Sequence, residues 1–132
     1  MQNLFAVRKG RLVFALLASC ASAFAFSAIL RAASPAPAYA VAEVNVTNSA
    51  MYRKYIAAVS PVVAHFGGKY IIRAGSIVPV EGKAPTGRFI VIEFPSLAVA
   101  QKFESSPEYR AIAPLRQRAA TSRIFLIEGA PQ

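Results

Sequence analysis

RFIVIEFPS, residues 88–96, decides the fold. Its first seven residues are rich in β-branched and aromatic side chains, with Ile90, Ile92 and Phe94 alternating against Phe89, Val91 and Glu93. That period of two is a strand with two distinct faces. Pro95 lacks the N–H that would continue the strand, and Ser96 is a good helix N-cap, so a strand here runs directly into a helix. Upstream lies KYIIRA, residues 69–74, a second strand of similar composition. The loop between them holds Gly75, Pro79, Gly82, Pro85 and Gly87, and Ile77, Val78 and Val80 are candidates for an extension of the hairpin.

Further out, Gly67-Gly68 stops a helix that Asn48 opens and that runs through Phe66. Tyr52, Tyr55, Ile56, Val59, Val63 and Phe66 recur at spacings of three and four and form one apolar stripe. Pro61 is expected to kink or split this helix. YAVAEVNVT, residues 39–47, alternates as a first strand, with Ala42, Val44 and Val46 opposite Val41, Glu43 and Asn45. Beyond RFIVIEFPS, Val99, Ala100 and Phe103 ride the helix that Ser96 caps. Ser106-Pro107-Glu108 supplies a second N-cap, a proline at the first helical position and an acid in the first turn of a helix reaching about Ala120. SRIFLIE, residues 122–128, is a fourth strand. The order is β-α-β-β-α-β, an α+β ferredoxin-like domain with a four-stranded antiparallel sheet.

Both helical layers of such a domain cover one face of the sheet. Alternation assigns Ala42, Val44, Val46, Tyr70, Ile72, Ile90, Ile92, Phe94, Ile124 and Leu126 to that face. The other face receives Val41, Glu43, Asn45, Lys69, Ile71, Arg73, Phe89, Val91, Glu93, Arg123, Phe125 and Ile127. Two Phe, two Ile and two Val without a covering element predict a homodimer that closes sheet on sheet, since each such side chain gains roughly 1.5–3 kcal/mol on full burial. Glu43 and Glu93 lie among them with Arg73 and Arg123. Four charges in an apolar interface must pair with one another or meet a polar ligand.

The first 40 residues read differently from the rest. They contain no Asp or Glu, and their only charges are Arg8, Lys9, Arg11 and Arg31. Leu12 to Leu30 is an uncharged run of 19 residues, followed by Pro35 and Pro37 and by the small-residue motif Ala38-Tyr39-Ala40. A basic start, an apolar run and a small-residue end form a secretory signal peptide. Two other readings stay open. A 19-residue helix spans roughly 28 Å, enough for an uncleaved membrane anchor, and Leu17-Ala18-Ser19-Cys20 resembles a bacterial lipobox. Each reading exports the domain, to the periplasm or medium or tethered outside the cytoplasm, with residues 12–30 the sole membrane contact. The expected division is residues 1–40 for export and 41–132 for the domain.

Charge and composition narrow the function. Of the 15 Lys and Arg, four belong to the first 40 residues, so 11 stand against six Glu beyond them, a net charge of +5. These charges are scattered, with no basic run interleaved with aromatics, so nucleic acid is not an expected partner. The single Cys lies in the export segment, Asp is absent and His65 is the one histidine. No metal site and no cofactor is expected, and a Ser-His-acid triad would have to be built on His65 and a Glu.

GGKYIIRAG (67–75), RFIVIEFPS (88–96) and SPEYRAIAPLRQRAATSRIFLIEG (106–129) resemble domain-of-unknown-function family 1330, part of the dimeric α/β-barrel superfamily. The resemblance covers residues 39–129. It implies a ferredoxin-like protomer whose sheets meet in a dimer, and it implies no catalytic set. Relatives in the superfamily include cofactor-free monooxygenases, haem-binding enzymes, lactone isomerases and plain ligand binders. Family members are often cytoplasmic single domains, and the export segment here departs from that.

The leading functional expectation is a small molecule bound between the paired sheets, with Arg73 and Arg123 clamping an anion beside Glu43 and Glu93. The alternative is a cofactor-independent enzyme on a small aromatic or carbonyl compound, with Glu43 or Glu93 as base and His65 as proton shuttle. A purely structural dimer is a third. His65 also reads as a helix-end residue favoured by the dipole. Tyr52, Tyr55 and Tyr109 read as core-edge residues, Arg116 and Arg118 as a solvated helix face, and Asn45-Val46-Thr47 as a glycosylation sequon sitting within a strand.

Overall fold

The computed structural model describes residues 35–131. Seven elements follow one another: β1 (Ala38–Val46), α1 (Ser49–His65), β2 (Lys69–Arg73), β3 (Arg88–Phe94), α2 (Leu97–Ser105), α3 (Pro107–Ala119) and β4 (Ala120–Glu128). The four strands form one antiparallel sheet in the order β2-β3-β1-β4. This is the expected α+β ferredoxin-like arrangement, with the second helical layer divided between α2 and α3. The expectation for residues 1–34 lies outside the described residues. Among the described residues no helix is long and apolar enough to cross a membrane.

The caps are those the sequence specifies. Asn48 accepts from the Met51 amide at 3.0 Å, Ser96 from Val99 at 3.2 Å, and Ser106 from Tyr109 at 3.1 Å. Each satisfies a donor that has no partner within its helix. Ser106 is buried and its hydroxyl also donates to the Phe103 carbonyl at 2.8 Å, which fixes the corner between α2 and α3. At the end of α1, Gly67 takes φ +70° while its amide donates to the Ala64 carbonyl and that of Gly68 to the Val63 carbonyl. This pair of bonds is the Schellman closure that glycine permits. Pro61 does not split α1, which runs unbroken from Ser49 to His65. Ile77, Val78 and Val80 add no strand to the hairpin and are exposed in the loop between β2 and β3.

β1 begins at Ala38, three residues before the expected domain boundary. It is a central strand, paired with β3 from Ala38↔Phe94 to Val44↔Arg88 and with β4 from Ala38↔Glu128 to Val46↔Ala120. Ala38 is wholly inaccessible and Ala40 is 4% exposed. The Gly129 amide donates to the Pro37 carbonyl at 2.6 Å, so the tie to the sheet extends one residue further back.

The core lies between the helices and one sheet face. Val44, Ile90 and Phe94 from the sheet meet Tyr52, Tyr55, Val59 and Val63 of α1, Ala100 and Phe103 of α2, and Tyr109 and Ala113 of α3. Ala42, Val46, Tyr70, Ile92 and Leu126 pack against this cluster as the alternation predicts, but Ile72 does not. The reason is a bulge in β2. Lys69 faces Glu93 and Tyr70 faces Ile92, after which Ile72 faces Val91 and Arg73 faces Ile90. One extra residue reverses the parity of everything beyond it. Ile72 therefore turns to the outer face, where it is 42% exposed, and Arg73 turns to the helix side. Ile72, Val91, Val41 and Phe125 now make an apolar row across all four strands.

Candidate functional site

The four charges expected to share a site are separated by the fold. Glu43 and Arg123 are cross-strand neighbours on the outer face and form an ion pair at 2.9 Å. The guanidinium is largely in water, so the pair contributes at most about 1 kcal/mol. Glu93 occupies the same face two rows away, beyond the apolar row, opposite Tyr39 and Lys69. His65 is exposed at the last turn of α1, edge-on to the Phe66 ring at 5.2 Å. Arg73, on the opposite side of the sheet through the β2 bulge, meets none of them.

What the fold builds instead is a cavity between sheet and helices. Its floor is Ala40, Ala42, Val44, Ile90, Ile92 and Ile124. The two alanines on the central strand leave the space: Ala42 lies between Ile90 and Ile124, and Ala40 between Ile92 and Leu126. Four tyrosines line it: Tyr52 and Tyr55 from α1, Tyr70 from β2, and Tyr109 from α3. Arg73, Arg88, Glu104 and Arg116 supply charge. The volume is about 60 Å³, room for roughly four to six water-sized groups. A compact molecule fits and a polycycle does not.

Each polar side chain has a structural reason for its position. Arg73 donates to the Ser60 hydroxyl at 3.1 Å and lies 4.4 Å over the Tyr70 ring, at the cavity's exposed edge. Arg88 begins β3, at the helix-facing parity of Ile90 and Ile92, and its guanidinium is 5.7 Å from the Tyr52 ring centre. Gly87, just before it, has φ +75°, and a Cβ there would lie 2.4 Å from the Val44 carbonyl oxygen. Glycine thus lets β3 start close against β1. Arg116 descends from α3, a residue expected on a solvated face, and donates from Nη1 to the Ser122 hydroxyl. Arg118 is exposed as expected.

Burial tunes the titrating groups. Loss of water raises the Glu104 carboxyl above the usual glutamate range, and nearby Arg116 opposes only part of that. The Tyr52, Tyr55 and Tyr70 hydroxyls are likewise raised, chiefly by burial, so they stay protonated donors at neutral pH. Arg88 Nε and Arg116 Nε are buried without a hydrogen-bond acceptor. An unpaired buried N–H on a cation is costly, so each needs an acceptor that a bound water or a ligand can supply. Among the described residues no cluster of three or more metal-ligating side chains occurs.

The signal for Arg88 was present in the strand alternation, where a charge sits at a core-facing position. Tyr52 and Tyr55 were visible in the apolar stripe of α1, Tyr70 in the helix-facing set of β2, and Tyr109 as a core-edge residue. Nothing local marks Glu104 or Arg116, whose roles depend on how α2 and α3 settle over the sheet.

The family model described as domain of unknown function DUF1330 matches residues 37–130. No curated protein matches the chain. Among solved structures the fold is similar to RPA0582, a protein of unknown function from Rhodopseudomonas palustris. The identity is 20% and the TM-score 0.58, covering 76% of this chain and 87% of that one. SnoaB, a cofactor-independent oxygenase from Streptomyces nogalater, matches at 15% identity and a TM-score of 0.47, over 74% of this chain and 95% of its own. A conserved protein from Methanosarcina mazei Go1 matches at 14% identity and a TM-score of 0.45, over 74% and 96%.

Proposed function

The chain belongs to the DUF1330 family, and we propose that it is an exported homodimeric domain that binds a compact organic molecule between its sheet and its helices. The observation that carries this reading is the cavity itself: an apolar floor, protonated tyrosines and three arginines, two with unsatisfied buried N–H groups. A filled structural core has no use for such donors. The site is thus moved from the space between two sheets to the space inside each protomer. The outer face, with Ile71, Ile72, Phe125 and Ile127 exposed, supports pairing of two copies. The uncharged run from Leu12 to Leu30 behind Arg8, Lys9 and Arg11 supports export.

A second reading is catalytic, and Glu104 favours it. A carboxyl held toward its neutral form in a small cavity is suited to give or take a proton, a role Glu43 and Glu93 cannot fill from the outer face.

Tyrosine fluorescence tests the binding reading. The chain has no Trp and five Tyr, four of which line the cavity. A panel of short-chain acids, amides and ketones is titrated against the full chain and against Ala42→Leu, which fills the floor. Saturable quenching that Ala42→Leu abolishes and Val41→Ser on the outer face leaves intact is the expected result. Binding lost through Val41→Ser and kept in Ala42→Leu would return the site to the sheet interface.

A further inference from the structure

We propose that the ligand carries a carboxylate, held between Arg88 and Arg116. This rests on the cavity being the binding site and specifies what it selects. The sheet register sets the geometry. Val44 of β1 faces Arg88 on one side and Ser122 on the other, so the three residues form one row on the helix-facing surface. With neighbouring strands about 4.8 Å apart, the two flanking backbones are roughly 10 Å from each other. Arg88 rises from one flank. Arg116 comes down from α3 and is pinned over the other by its bond to Ser122. The two guanidinium groups therefore bracket the space above Val44, a small side chain that is itself fully buried.

The free donors are the right ones for this chemistry. An arginine grips a carboxylate with two parallel N–H groups, and Nε–H with one Nη–H is such a fork. Both Nε atoms are buried and without acceptor. Arg116 spends one Nη1 contact on Ser122, which orients the group and leaves Nε free. The one acid in the cavity does not satisfy them: among the described residues the ion pair found is Arg123 with Glu43, on the other face. With Arg73 at the rim, the lining is positively charged, and an anion relieves that charge. The floor of Val44, Ile90 and Ile124 is apolar, and the space is small. One charged head and a short apolar body match it. A phosphate group has a head but nothing to lay on the floor.

Isothermal titration calorimetry on the full chain with matched pairs tests this: propionate and propionamide, butyrate and butyramide, pyruvate and pyruvamide, with inorganic phosphate as a separate arm. At least one carboxylate should bind tenfold or more tighter than its amide. Arg88→Met and Arg116→Met should each weaken that acid roughly ten- to hundred-fold, the usual range for a charged hydrogen bond, and leave the amide unchanged. Arg88→Lys, which keeps charge and bulk but not the fork, should weaken the acid nearly as much and covers the case in which Arg88→Met fails to fold. Amides that bind as tightly as acids overturn the carboxylate and leave the cavity reading standing. Acids whose affinity ignores all three variants, or phosphate that binds tighter than every acid with the same arginine dependence, also overturn it. If no member of the panel binds, both the proposal and the cavity reading fall.

Discussion

A chain that begins at Val41 should be far less stable than one that begins at Pro35. Of the six residues that differ, Ala38-Tyr39-Ala40 lie in the sheet: the motif that reads as a peptidase site forms the first third of a central strand. Flanked on both sides, these residues offer about six ladder hydrogen bonds, each worth roughly 1 kcal/mol net. The buried methyl groups of Ala38 and Ala40 add about 0.8 kcal/mol apiece. Releasing three ordered residues returns roughly 3–6 kcal/mol of backbone entropy. The net loss is about 3 kcal/mol, before counting the packing that Phe94 loses beside Ala38. Against a total stability on the order of 5–15 kcal/mol, that is a large share. Urea denaturation followed by far-ultraviolet circular dichroism should show the midpoint lowered by roughly 1–3 M, given slopes of about 1–3 kcal/mol per molar urea. Equal midpoints for the two chains would refute the placement of these residues in the sheet. The same reasoning predicts that any processing in the cell leaves Pro37 on the mature chain, which N-terminal sequencing of the exported protein reads directly.

Other outcomes follow from individual contacts. Glu104 has a pKa raised by folding, so its contribution to stability is present below the ordinary glutamate range and is lost as pH rises through the shifted value. Glu104→Gln should therefore be the more stable protein at neutral pH, with the gap closing on acidification, as measured by thermal melts from pH 4 to 8. Gly87→Ala sets a methyl against the Val44 carbonyl at a positive φ and should cost about 2–3 kcal/mol while disturbing Arg88; an unchanged melting temperature would contradict the close approach of β3 to β1. Ser106→Ala removes a cap and the tie to Phe103 and should cost about 1–2 kcal/mol. Phe125→Glu with Ile127→Lys should convert a dimer to a monomer by light scattering; a protein that is monomeric before substitution removes the case for sheet pairing.

Most of the fold was legible because its signals are local. Period-two alternation, Asn48, Ser96 and Ser106 as caps, and Gly67-Gly68 as a stop each act within a few residues. The site was less legible because it hangs on a single inserted residue and on tertiary placement. Strict alternation put Arg73 with Glu43, Glu93 and Arg123, and the bulge between Tyr70 and Ile72 moved it across the sheet. No feature of KYIIRA announces that bulge. Pro61 looked like a kink or a break, yet α1 runs unbroken through it and gives up only the N–H that would reach the Ala57 carbonyl. Ala38-Tyr39-Ala40 carries two readings at once: small residues that suit a peptidase also suit a tightly packed central strand, and Ala38 and Ala40 are buried in β1.

The most direct test of a binding site under the helices is carbon-13 NMR of the tyrosine rings during titration with the tightest-binding carboxylate. Tyr52, Tyr55, Tyr70 and Tyr109 line the cavity, whereas Tyr39 lies on the outer face beside Glu93 and Ile127. The account predicts saturating shifts for the first four, largest for Tyr52 next to Arg88, and a still resonance for Tyr39. Shifts confined to Tyr39 would contradict it.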